Sequence, residues 1–77
     1  MKEAILEMLT EVRPEFDFVE SDDFVIDGLL DSFDIISLIS MIEETYKVKI
    51  NGLDIVPENF VSIDSIEALI SRSKGEK

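Results

Sequence analysis

Apolar side chains recur at helical spacing in residues 32–46, and this segment constrains the fold more than any other part of the chain. At 100° per residue, the side chains that share one face are those of Ile35, Leu38, Ile39, Ile42 and Tyr46. Asp31 and Asp34 stand at the N-cap and N3 positions, where carboxylates accept hydrogen bonds from unpaired amides and match the helix dipole. The segment is therefore predicted to be an amphipathic helix that buries this face.

A first helix is predicted at about residues 2–13, and it ends there because the residue before Pro14 is disfavoured in the helical region. The following stretch, 14–30, is predicted to be a loop. Its apolar residues, spread among acids, are Phe16, Phe18, Val19, Phe24, Val25, Ile26, Leu29 and Leu30. We expect the aromatic residues to insert into the core, because a long loop in a small domain is usually held by its own apolar side chains. Gly28 predicts a tight turn before the next helix.

Two further helices are predicted near the end of the chain. A short one, at about residues 57–61, begins at Pro57, because proline is favoured at the first helical position. The last, at about residues 65–73, is predicted to begin after Asp64, with Glu67 three residues later in an arrangement like a capping box.

The size of the chain, 77 residues of which 45% are hydrophobic, predicts a single small domain over residues 1–77. The fold class is all-α, a small bundle of three main helices plus one short helix. There is no Cys and no His. Catalysis by a Ser–His pair, a His general base and most zinc chemistry are therefore excluded from this chain alone, and we do not expect an enzyme.

The charge is strongly negative and unevenly placed. The formal net charge is −11, and no basic residue occurs between Arg13 and Lys47. Such a surface repels nucleic acid and anionic lipid and attracts basic protein surfaces. No apolar run approaches membrane-spanning length, and the first residues lack the core of a signal peptide. We expect a cytoplasmic monomer that binds neither nucleic acid nor membrane.

Chemistry is most strongly indicated at Ser32, at the start of the second helix. Backbone amides at a helix N-terminus favour a phosphate group. No evident base accompanies Ser32, so the serine is not expected to act as a self-activated nucleophile. If it reacts, another enzyme must activate it.

Here the sequence resembles the acyl carrier protein family. Asp31-Ser32-Phe33-Asp34 is close to that family's Asp-Ser-Leu-Asp/Glu motif. The likeness continues through Leu29-Leu30, Glu43-Glu44-Thr45-Tyr46, Pro57, Ile63 and Asp64-Ser65-Ile66. It covers essentially the whole chain. The alternative interpretation is that Ser32 merely opens the helix.

The resemblance implies that Ser32 receives 4′-phosphopantetheine from coenzyme A through a separate phosphopantetheinyl transferase. The terminal thiol then holds acyl intermediates as thioesters and presents them to loading and synthase enzymes of fatty-acid or polyketide-type biosynthesis. In the family, partner enzymes contact the start of this helix. The positions implied as partner contacts are Asp31, Phe33, Asp34, Ile36, Ser40, Glu43 and Glu44.

Three departures leave the partner open. Phe33 replaces the usual leucine, Ser37 stands where fatty-acid carriers commonly have an acid, and Ser40 is smaller than the apolar residue often found there. A discrete aminoacyl, D-alanyl or peptidyl carrier, loaded by an adenylating enzyme, is therefore an alternative. Another is an unmodified acidic interaction module that presents Phe33 and Ile36. A further alternative is that the long loop at residues 14–30 covers Phe33 and Ile36, so that both side chains are buried.

Calcium binding is the sharpest rival outside the family. Positions 1, 5, 6 and 9 of an EF-hand loop are matched by Asp23, Asp27, Gly28 and Asp31. The match then fails, because Val25 offers no side-chain oxygen at position 3 and Asp34 replaces the bidentate glutamate at position 12. No second loop is present. We expect no metal site, only weak and nonspecific cation binding.

Overall fold

The computed structural model describes residues 1–75, and over that range it contains three α-helices, three short 3₁₀ turns and no strand. The helices are α1 (Lys2–Val12), α2 (Ser32–Tyr46) and α3 (Ile63–Ser73). The 3₁₀ turns are Phe18–Glu20, Gly52–Asp54 and Pro57–Phe60. The predicted all-α bundle is confirmed, with the short helix present as 3₁₀ turns. Glu76 and Lys77, at the end of the predicted domain, lie outside the described residues.

The core forms where the three helices meet the long loop. Its fully buried side chains include Ile5, Leu9, Leu38, Ile42, Phe60, Ile66, Leu69 and Ile70. From the loop, Phe18 and Phe24 are buried and pack edge to face, with ring centroids 5.1 Å apart. The expectation that the loop aromatics insert into the core is therefore correct for these two. It is wrong for Phe16, which remains exposed and meets only the edge of the cluster through Phe18.

α2 buries the face that its periodicity predicts. Ile35, Leu38, Ile39 and Ile42 are buried, and Tyr46 is partly buried. On the opposite face Phe33 is 81% exposed and Ile36 is 59% exposed. The loop therefore does not cover these two side chains.

The segment before α2 is held by backbone hydrogen bonds. The carbonyl of Phe24 accepts from the amides of Leu29 and Leu30 at 2.8 and 3.1 Å. This reversal needs the positive φ of 77° at Gly28, which glycine adopts without steric cost. The amide of Phe24 also donates to the carbonyl of Val61 at 2.8 Å, which ties the loop to the segment before α3. The approach to α2 is thus fixed on both sides.

α3 begins two residues earlier than predicted. The N-cap is Ser62, whose Oγ accepts from the amide of Ser65 at 3.1 Å. Asp64 lies inside the first turn, where its carboxylate pairs with Lys2 Nζ at 2.6 Å. The predicted N-cap at Asp64 is wrong because the hydroxyl of Ser62, two residues upstream, accepts from the amide of Ser65 and caps the helix there. Within residues 1–75, no helix combines the length and the apolar character that a membrane crossing requires.

Candidate functional site at the start of α2

Asp31, not Ser32, caps α2. Asp31 Oδ1 accepts from the amide of Asp34 at 3.0 Å, and Asp34 Oδ2 accepts from the amide of Asp31 at 3.1 Å. This reciprocal pair is a capping box built from two aspartates. Ser32 is the first helical residue and takes no part in it. Asp31 thus holds the predicted N-cap position, and Ser32 opens the helix as its first residue.

The side chain of Ser32 is exposed, and the hydrogen bonds described around it leave its hydroxyl without a protein partner. It stands at the positive end of a helix of 15 residues. An anionic group attached there is favoured by the helix dipole. Neither aspartate beside it accepts a hydrogen bond from the Ser32 hydroxyl, so no base of the described residues contacts Ser32.

Arg13, the C-cap residue of α1, joins the end of α1 to the start of α2. Its Nε donates to Asp34 Oδ2 at 2.9 Å, and its Nη2 lies 3.3 Å from Asp31 Oδ2. Its Nη1 lies 3.3 Å from Glu15 Oε2. One guanidinium thus holds both carboxylates of the capping box. Sequence analysis did not assign this role, although Arg13 is the sole basic residue between Lys2 and Lys47.

These contacts keep the groups charged. The hydrogen bond from the amide of Asp34 lowers the pKa of Asp31, and the positive charge of Arg13 lowers it further. The hydrogen bond to Asp34 raises the pKa of Arg13, with the one to Glu15 next in effect. An ionised carboxylate and a protonated guanidinium therefore stand next to Ser32 at neutral pH.

Two of the implied partner contacts have other tasks. Asp34 is only 8% exposed, because its carboxylate is enclosed by the amide of Asp31 and by Arg13. Glu43 is half-buried, and its Oε2 accepts from the amide of Ile50 at 2.9 Å, which fixes the connector after α2. Their role as partner contacts stays a prediction, and the contacts that the structure describes for them are internal. Both carboxylates accept hydrogen bonds from other residues of the fold.

The other implied contacts share an exposed surface. They are Asp31, Phe33, Ile36, Ser40 and Glu44. A groove of about 170 Å³ lies beside Ser32, and its lining includes Ile36, Ile55 and Pro57. Ile55 and nearby Leu53 are themselves exposed, Leu53 by 86%. Sequence analysis did not select these two connector residues, because an apolar residue in a connector carries no periodicity that shows which side faces solvent.

The acids of the candidate calcium loop are engaged separately. Asp23 Oδ1 accepts from the amides of Val25 and Ile26 at 3.0 and 2.9 Å, and Asp27 Oδ2 accepts from the hydroxyl of Ser21 at 2.6 Å. Asp31 belongs to the capping box. Across residues 1–75, no group of three His, Cys, Asp or Glu residues is placed to hold a metal ion. The acids Asp23, Asp27 and Asp31 thus accept hydrogen bonds within the loop and the capping box.

Comparison with family models, with curated proteins and with solved structures found no match to this chain.

Proposed function

We propose that this chain is a carrier protein that bears 4′-phosphopantetheine on Ser32. The observation that carries the proposal is the exposed Ser32 hydroxyl, which helix capping leaves free at the first residue of α2. The resemblance of residues 31–34 to the carrier motif supports the same assignment.

The attachment is a phosphoryl transfer. Ser32 Oγ forms a bond to the phosphorus nearest pantetheine in coenzyme A, the bond from that phosphorus to the bridging pyrophosphate oxygen breaks, and adenosine 3′,5′-bisphosphate leaves. The hydroxyl proton passes to a base on the transferase, since no base of this chain contacts Ser32. The arm supplies a terminal thiol that holds cargo as a thioester, a group that this Cys-free chain lacks.

The groove beside Ser32 suits an apolar portion of such an arm or its cargo. Its walls include Ile36 on α2 and Ile55 on the connector. Phe33 and Ile36 also offer a partner enzyme an apolar surface, with the carboxylates of Asp31 and Glu44 at its edge. Buried aromatic anchors dominate many interfaces, while charges at the rim act mainly on the rate of association.

The cargo is proposed to be an acyl group handled by fatty-acid or polyketide-type enzymes. One observation favours the aminoacyl alternative: Ser37 and Ser40 are both exposed on α2, where a fatty-acid carrier presents an acid and an apolar residue. Loading assays on the modified protein separate the two, one with an acyl-loading enzyme and the other with an amino-acid-adenylating enzyme. Stable loading by only one of them assigns the cargo class.

The modification is tested by intact-protein mass spectrometry after incubation with a broad-specificity phosphopantetheinyl transferase and coenzyme A. The wild type should gain the mass of one phosphopantetheine. Ser32→Ala should gain none, whereas Thr45→Ala, which removes another exposed hydroxyl from α2, should be modified like the wild type. A wild type that stays unmodified contradicts the carrier proposal and favours the unmodified interaction module.

The partner surface is tested by cargo transfer from the loading enzyme to modified protein. Phe33→Ala should slow transfer with little dependence on salt, because the contact that it removes is apolar. Val19→Ala is the matched control, since Val19 is also exposed but lies on the 3₁₀ turn beside α3. Equal transfer rates in both variants would place recognition elsewhere.

A further inference from the structure

We propose that Arg13 is a positioning residue for the modification of Ser32. In this role its guanidinium holds the two carboxylates that flank the serine and reduces the negative charge that an incoming phosphate group meets. The inference rests on the proposed function, because it concerns the reaction in which the Ser32 hydroxyl acquires a phosphate-linked group.

The geometry joins Arg13 to both sides of the serine. Its Nε and Nη2 reach Asp34 and Asp31 at 2.9 and 3.3 Å. The planar fork of a guanidinium can hold two carboxylates in one fixed arrangement, which a lysine ammonium does less well. Asp31 and Asp34 in turn hold each other's backbone amides, so that Arg13 acts on the backbone that carries Ser32. The side chain belongs to α1, so its contact also fixes the end of one helix against the start of another.

The charge balance gives Arg13 a second effect. Coenzyme A brings a pyrophosphate to a surface where Asp31 and Asp34 both carry negative charge. Between Lys2 and Lys47 the chain has no other basic residue that could offset them. Arg13 approaches Asp31, Asp34 and Glu15 together, so that a single cation meets three carboxylates. Its removal leaves the local field more negative where a polyanionic donor must arrive.

A merely structural role and a positioning role differ in their dependence on charge and salt. Arg13→Gln removes both the charge and the fork, while Arg13→Lys keeps the charge alone. If Arg13 positions the reaction, Arg13→Gln lowers kcat/KM for modification about tenfold at low salt, and the loss shrinks as salt screens the exposed carboxylates. Arg13→Lys recovers part of that loss. A role limited to fold stability changes the melting temperature but produces neither the salt dependence nor the rescue.

The experiment measures kcat/KM of the full chain with the transferase and coenzyme A at low and high salt, with helicity followed by circular dichroism. Arg72→Gln is the matched control, because it removes one positive charge from an exposed position on α3. It should be modified at the wild-type rate.

The outcomes separate this inference from the proposed function. An unmodified wild type contradicts the carrier function itself. If the wild type is modified and Arg13→Gln reacts at the same rate, the role of Arg13 is overturned. The role is also overturned if Arg13→Gln and Arg13→Lys are slowed equally at every salt concentration. If Arg13→Gln loses its helical signal, Arg13→Lys decides. A slower rate at unchanged helicity supports positioning, and a wild-type rate refutes it.

Discussion

At the scale of single residues, the start of α2 divides two tasks between neighbours. Asp31 closes the helix end through the amide of Asp34, while Ser32 contributes only its backbone to the helix. Replacement of Ser32 should therefore have little effect on stability, because an exposed side chain without a hydrogen bond is removed. This division makes Ser32→Ala a clean test of modification, since a failure to react will not be confused with unfolding.

The carboxylate of Asp31 should make stability depend on acid pH. Its pKa in the folded protein lies below the ordinary value of 3.8, so the folded state binds this proton less readily than the unfolded state. The resulting stabilisation is present above that ordinary value and is lost as the pH falls through the lower folded pKa. Asp31→Asn removes this contribution, so its free energy of unfolding should differ most from the wild type near neutral pH and converge with it as the pH falls from 3.8 through the lower folded pKa.

Urea denaturation of both proteins between about pH 2.5 and pH 7 measures this difference. Asparagine also caps helices well, so the comparison isolates the charge rather than the cap. A difference that stays constant over the whole range would contradict the assigned pKa shift.

The isoleucines of α2 should differ sharply in their contribution to stability. Ile39 and Ile42 face the core and are 8% and 0% exposed, whereas Ile36 is 59% exposed. Substitution by alanine should cost about 2–5 kcal/mol at Ile42, with a similar loss at Ile39, because a cavity remains. At Ile36 the cost should stay within about 0.5 kcal/mol. Chemical denaturation compares the three, and equal losses at all three positions would contradict the exposed face.

The contact between Asp34 and Arg13 could not be predicted from the sequence. The helix start predicts that Asp34 is an N3 carboxylate, and the structure confirms this position. It does not predict that Asp34 is buried, because burial depends on Arg13, which lies 21 residues away. A contact between residues that lie so far apart in the chain leaves no pattern in a short stretch of sequence. Ser32 could be identified as a candidate site because its signal, a motif at the start of a helix, lies within a few consecutive residues.

At the scale of the elements, the three helices follow from periodicity, while their ends follow from hydrogen bonds that compete locally. α2 begins at the predicted residue because Asp31 and Asp34 together form one capping box. At α3, Ser62 and Asp64 are both good N-cap residues, and the sequence alone does not choose between them. The segment before α3 has a proline start but only four residues, and a segment that short forms a 3₁₀ turn.

The choice of cap at α3 can be measured. Ser62→Ala should lower the free energy of unfolding by about 1 kcal/mol, because the amide of Ser65 loses its acceptor. Asp64→Ala should have a smaller effect, since it removes only an exposed ion pair with Lys2. Thermal or urea denaturation of both variants tests the assignment. A larger loss for Asp64→Ala would return the N-cap to Asp64.

The C-terminal end of α2 carries strain that a substitution should relieve. Lys47 adopts the left-handed conformation, with φ 55° and ψ 44°, which disfavours every residue that has a Cβ except asparagine and aspartate. Glycine is the common choice at this position of a helix. Lys47→Gly should therefore be about 1 kcal/mol more stable than Lys47→Ala, which loses the same charge but keeps a Cβ. Differential scanning calorimetry measures the pair, and an equal stability would contradict the strain.

At the scale of the whole molecule, the long loop completes the bundle. Phe18 and Phe24 fill space between helices too few to enclose a core by themselves, and the contact from Phe24 to Val61 joins the loop to the entrance of α3. The same loop brings the chain back to Asp31 beside Arg13. The geometry at Ser32 thus depends on the tertiary fold as well as on the motif.

The net charge of −11 should make the stability of the whole molecule rise with salt. Within residues 1–75 the ion pairs described above involve Lys2 and Arg13, and the exposed acids Glu7, Glu11 and Glu44 line a groove between α1 and α2. Their mutual repulsion opposes the compact state, and salt screens it over about 10 Å at 0.1 M. The melting temperature should therefore increase with sodium chloride and with millimolar calcium or magnesium alike.

A variant that combines Glu7→Gln, Glu11→Gln and Glu44→Gln tests the cause. It removes three charges that lie along one groove and leaves the capping box intact. Its melting temperature at low salt should exceed that of the wild type, and its gain from added salt should be smaller, because less repulsion remains to be screened. Calcium and magnesium should act equally on the wild type, since screening does not distinguish two divalent cations. Nanomolar affinity for calcium with a defined stoichiometry would contradict charge screening as the cause and restore the EF-hand interpretation. A melting temperature that does not change with salt would mean that the acids lie too far apart to repel one another.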